Sequence, residues 1–150
     1  MNQGSVLKIA IHTDVLLEYL VHRDRSESVL RLAMQKFFCY TTVFNAIDVF
    51  SVARTEKEHT AVEQELSAMK ILGLNAKSAK RYGKWVADGL PLPKTDIFVA
   101  AICMDSRLPL LTRQPKRFSS VQQLMVVSAD SVTAELTAGQ ILQQARRGRR

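Results

Sequence analysis

The chain has 150 residues, 47% apolar and 23% charged, a balance that builds one packed domain and excludes a disordered, collagen-like or coiled-coil chain. No apolar run approaches the ~18 residues of a membrane helix, and the opening MNQGSVLKIAIHTD lacks the basic and long apolar regions of a secretion signal. The formal charge is +7, and four of the positive charges are Arg146, Arg147, Arg149 and Arg150; the sequence therefore reads as one domain over 1–145 followed by a basic tail over 146–150.

A modestly basic body permits a nucleic-acid partner without requiring one. Cys39 and Cys103 lie in apolar surroundings, and no Cys-x-x-Cys or Cys/His cluster is present. A structural zinc site is not expected. Two buried free thiols fit a reducing, cytoplasmic setting.

In chain order, 6–11 (VLKIAI) reads as a short apolar strand and 13–22 as a helix, with Leu16/Leu20 and Leu17/Val21 at i, i+4 spacing. Residues 26–37 read as a second helix and 38–42 (FCYTT) as an aromatic and β-branched strand. Helices are expected over 44–54 and 56–72, with Thr55 and Glu58 as a capping box between them and Gly73 as the stop. An amphipathic helix follows over 75–88, then a loop punctuated by Pro91 and Pro93, and a helix over 96–106. Strands are expected over 108–112 and 124–128, and a last helix over 130–145. Apolar strands separated by helices predict an α/β fold: a parallel sheet of about four to five strands covered on both faces.

In such sheets ligands bind beyond the carboxyl ends of the strands. The first strand ends in His12-Thr13-Asp14 and the third in Thr112-Arg113-Gln114; Asp96 opens the helix before that third strand. Asp48 stands in the apolar run Phe44-Asn-Ala-Ile-Asp-Val-Phe50. A carboxylate among apolar neighbours needs a metal or a cationic partner if it is buried. Simpler explanations also stand. Asp96 and Asp14 suit first helical turns, Asp48 fits a solvent stripe beside Ser51, and His12 fits a packed, hydrogen-bonded strand end. No G-x-G-x-x-G, P-loop or nucleophile elbow competes for the site.

Taken together, the four segments resemble the PIN domain of VapC-type toxins. The resemblance covers roughly 6–128. It rests on an apolar strand followed by Asp-Thr-x-x-Leu, here Ile9-Ala-Ile-His-Thr-Asp-Val-Leu-Leu17; a Thr-rich strand end leading to a helix with an acid, here Thr41 to Asp48; an Asp opening an Ala-rich helix, here Asp96-Ile-Phe-Val-Ala-Ala-Ile102; and a strand-Thr-x-Asp/Asn segment with a following Phe, here Leu110 to Phe118. His12 occupies the place of the family's first Asp, Asp48 stands where Glu is usual, and Gln114 replaces an Asp or Asn.

The resemblance implies a metal-dependent endoribonuclease, the toxin of a toxin–antitoxin pair, acting on RNA phosphodiesters. Asp14, Asp48, Asp96 and His12 would be catalytic, and the same four with Gln114 would hold Mg²⁺ or Mn²⁺. The metal would acidify a bound water and neutralise the attacked phosphate. Imidazole suits Mn²⁺ better than Mg²⁺, so His12 predicts a preference for Mn²⁺. Thr13 and Thr112 would orient the acids; Lys94, Arg113, Lys116 and Arg117 would contact RNA phosphate. An antitoxin partner and a homodimer are also implied, the latter with weak support from apolar faces in 26–37 and 44–53. The substitutions at 12 and 114 open a second reading: a catalytically inactive PIN-like module that binds RNA or a protein partner and holds no metal.

Overall fold

The computed structural model describes residues 6–148. Five strands, β1 (Lys8–Ile11), β2 (Phe38–Thr42), β3 (Lys70–Leu72), β4 (Leu110–Thr112) and β5 (Val126–Ser128), form one all-parallel sheet in the order β3-β2-β1-β4-β5. Among the described residues eight α-helices connect and cover it: α1 (Thr13–Val21), α2 (Val29–Lys36), α3 (Val43–Val52), α4 (Glu56–Ser67), α5 (Ala79–Ala87), α6 (Lys94–Asp105), α7 (Ala129–Thr133) and α8 (Ala138–Arg147).

The pleat sends alternate side chains to opposite faces. Ile9, Ile11, Cys39, Leu111 and Val127 enter one core with α1, α2 and α4. Ala10 and Leu110 enter the other, against α6 and the aromatic ring of Phe118. Burial on both faces explains why β1 and β4 are continuous apolar runs rather than alternating ones. Most helices begin at a polar cap. Ser28, Thr42, Ser128 and Thr137 each accept an amide proton from the first helical turn, and Thr55–Glu58 closes the expected capping box.

Two expected helices are shorter than their hydrophobic period. The helix begun at 56 stops at Ser67, and 70–72 pairs with β2 as edge strand β3, Tyr40 facing Lys70. A three-residue strand carries too little pattern to compete with a helical period, and only the open edge of β2 selects it. Gly73 accordingly follows a strand rather than a helix. The helix expected over 130–145 is two helices, because Thr137 and Gln140 form a capping box that restarts the chain. Helix α8 continues through Arg147, so the first two arginines assigned to the tail are helical; Arg149 and Arg150 lie outside the described residues.

Candidate functional site

Every strand that ends beneath the site hands over to a polar residue. Strand β1 runs into His12 at the start of α1, its Nδ1 3.2 Å from the Asp14 amide nitrogen. Strand β4 ends in Thr112, whose hydroxyl donates to Asp14 Oδ2 at 2.6 Å. The Arg113 amide donates to Asp14 Oδ1 at 3.0 Å. Both oxygens of Asp14 are thus held by the end of the neighbouring strand. Asp96 sits in the first turn of α6, where the helix dipole favours a carboxylate.

His12 is 4% exposed and lies between these two acids. Its Nε2 is 3.1 Å from Asp96 Oδ1 and its Nδ1 3.3 Å from Asp14 Oδ2. Phe118 closes the space beside the imidazole, edge to face at 5.3 Å between ring centroids. Arg117 completes the arrangement from the loop after β4: its Nε is 2.7 Å and a terminal nitrogen 2.5 Å from Asp96 Oδ2.

Burial, the largest single influence on His12, opposes its charge. The hydrogen bonds and negative charges of Asp14 and Asp96 together outweigh it and push the imidazole pKa up to about 9. Burial likewise opposes ionisation of both acids. It is overcome for Asp14 by His12, Thr112 and the Arg113 amide, and for Asp96 by His12 and Arg117, so both carboxyls lie below the usual range. Nδ1 is nearly equidistant from the Asp14 amide and the Asp14 carboxylate. A neutral ring would accept from the amide, whereas the charged ring gives its proton to the carboxylate. Two flanking carboxylates decide for the charged form.

The remaining expected residues separate. Asp48 is exposed on α3 and reaches the cluster only through Thr13, whose hydroxyl donates to Asp48 Oδ2 at 3.1 Å. The solvent-stripe explanation of Asp48 therefore holds, and no buried charge needs compensation there. Thr13 also accepts from Asn45 Nδ2 at 2.8 Å, and Asn45 Oδ1 accepts from Thr42 at 2.6 Å. Asn45 is buried and links α1 to the end of β2, a role sequence reading missed. Its one signal is the Thr42-x-x-Asn45 spacing at a helix start. Gln114 is exposed and offers its amide to Thr112 at 3.1 Å. Lys94, Arg113 and Lys116 are exposed. Arg117, assigned to RNA, instead neutralises Asp96.

This donor set does not fit a divalent metal. Mg²⁺ and Mn²⁺ need several free oxygen ligands at short, near-octahedral distances. Here all four carboxylate oxygens of Asp14 and Asp96 accept from protein donors. The space between the two acids holds an imidazolium, which would repel a second cation. Among the described residues no group of three or more His, Cys, Asp or Glu is arranged to hold a metal ion.

No protein-family model and no curated protein sequence matches the chain. Solved structures do. The chain superposes on VapBC-1 from nontypeable Haemophilus influenzae with a TM-score of 0.67 at 15% identity, covering 83% of this chain and 99% of that one. It superposes on VapBC2 from Rickettsia felis, solved with a DNA fragment from their promoter, with a TM-score of 0.63 at 17% identity, covering 81% and 98%. For a toxin–antitoxin complex from Klebsiella pneumoniae the TM-score is 0.59 at 20% identity, covering 73% and 89%. The chain has a PIN-like fold. In this chain Asp14 and Asp96 lie at the carboxyl edge of the sheet, with His12 between them and Arg117 on Asp96.

Proposed function

We propose that this chain is a PIN-like module of the toxin–antitoxin kind that acts by binding a protein partner, with its acid cluster neutralised internally rather than by a metal. One observation carries this reading: His12 bridges Asp14 and Asp96 at 3.3 and 3.1 Å while Arg117 covers the other oxygen of Asp96. Two carboxylates then face two fixed cations, and a divalent ion gains nothing that the chain does not already supply. The similar structures are toxin–antitoxin complexes, which supports an antitoxin-like protein as the partner class. A homodimer belongs to the same reading, since Val43 and Ile47, one turn apart on α3, are both exposed apolar side chains.

Titration calorimetry with Mg²⁺ and Mn²⁺, beside a ribonuclease assay in each ion, tests the proposal. The natural chain is expected to show neither binding heat nor cleavage. His12→Asp, which replaces the internal cation with a third acid, is expected to gain divalent binding. Metal binding by the natural chain that disappears in Asp96→Asn would overturn the proposal.

It would restore the second reading, a metal-dependent endoribonuclease using Asp14, Asp48, Asp96 and His12. The likeness of the fold to toxin–antitoxin complexes is what favours that alternative. In it, Mn²⁺ is preferred over Mg²⁺, and Arg117 has to release Asp96.

A further inference from the structure

We propose that a groove at the amino-terminal edge of the sheet, opposite the acid cluster, docks an acidic and partly apolar peptide segment of a partner protein. The groove encloses about 720 Å³ between the start of β1, the end of α6, the entries to β4 and β5, and α8. That volume lies within the ~300–1,000 Å³ typical of ligand sites. Its floor is apolar, with Leu7, Met104, Met125 and Leu142 incompletely covered. Met side chains adapt to varied partner surfaces.

The rim is cationic. Lys8, Arg107 and Arg146 line the groove, all three exposed, and no acidic residue lines it. None of the three forms an ion pair with a carboxylate among the described residues.

Arg107 adds an independent observation. It is the non-glycine residue with positive φ among the described residues, at 54°. It follows the end of α6, where its amide bonds Met104 O at 3.2 Å and the Leu108 amide bonds Cys103 O at 2.8 Å. This helix stop favours glycine, because a side chain is strained there. The chain instead keeps an arginine that makes no ion pair among the described residues and stands on the groove's rim. A strained residue at a binding rim is a reason to look for a ligand.

Charge selects the occupant. A second copy would bring one basic rim against another in a self-complementary contact, and the chain is already at +7. Nucleic acid would use the cations but leave the apolar floor without a role. An acidic segment with interleaved apolar side chains uses both.

The test is selection of a displayed random dodecapeptide library on the full chain, followed by fluorescence anisotropy with the resynthesised winners. Enriched peptides are expected to combine Asp or Glu with Leu, Ile, Val or Phe. Their affinity is expected to fall about tenfold in Arg107→Gly and again in Arg146→Gln, the scale of losing a charged contact. Arg107→Gly removes the cation while relieving the backbone, so its melting temperature should hold or rise, and lost binding will not reflect unfolding. The proposal is overturned if enriched peptides lack acidic residues or bind both variants as well as the natural chain. It is equally overturned if a peptide binds only after residues 1–5 are removed, or if an RNA dodecamer but no peptide shows the variant-sensitive binding.

Discussion

Raising the pH should take away the charge on which the acid cluster is built. His12 titrates near pH 9 in the fold against 6.5 for the free side chain. Its folded-state pKa is the higher one, so its contribution to stability is complete below about pH 6.5 and disappears as pH climbs through about 9. A shift of this size corresponds to about 3 kcal/mol at ~1.4 kcal/mol per unit. Between pH 6 and pH 8.5 about 2 kcal/mol of it should be lost. Urea unfolding at several pH values in that window measures this directly, provided the urea dependence stays constant. His12→Gln is the control and should give a nearly flat profile. The window must end below pH 9, because Cys39 and Cys103 are held by burial near pKa 12 against 9.0 when exposed, and their linkage destabilises the fold only above that point. Equal pH profiles for the natural chain and His12→Gln would refute the buried imidazolium and the internal neutralisation built on it.

Further outcomes follow from the same geometry. Thr112→Val removes the 2.6 Å hydrogen bond to Asp14 Oδ2, leaving the His12 ring as that oxygen's partner, and should cost about 1.5–3 kcal/mol in chemical denaturation, the worth of a hydrogen bond to a charged group. Phe118→Ala empties a fully buried position beside His12; a loss of about 3–5 kcal/mol is expected, with a displacement of the His12 imidazole NMR signals as the ring-current partner is removed. Millimolar Mg²⁺ or Mn²⁺ should leave the melting temperature of the natural chain unchanged and raise that of His12→Asp, since only a bound ligand shifts the unfolding equilibrium. Arg107→Gly should be neutral or stabilising by up to about 1 kcal/mol, checked by thermal unfolding.

Much of this architecture was readable in the residues themselves. The apolar runs of β1 and β4, the Thr-rich end of β2 and the capping box at Thr55–Glu58 are local signals, and their order is enough to name a parallel α/β sheet with polar strand ends along one edge. The positions of Asp14 and Asp96 near that edge follow from the same order. Strand β3 and the break between α7 and α8 were not readable with equal ease. A three-residue strand exists through its neighbour, and an apolar period continues across a short gap.

The chemical state of the site lay entirely in the tertiary structure. One imidazole in sequence between Ile11 and Thr13 says nothing about which carboxylates will flank it. Asp96 lies 84 positions away from His12, and it reaches the ring because α6 starts beside the end of β1. Arg117, read as a hand for RNA, turns inward onto Asp96; Asp48, read as a metal ligand or as part of a solvent stripe, faces solvent through the register of α3. Sequence fixes which charges a chain owns, but the folded distances decide which of them cancel.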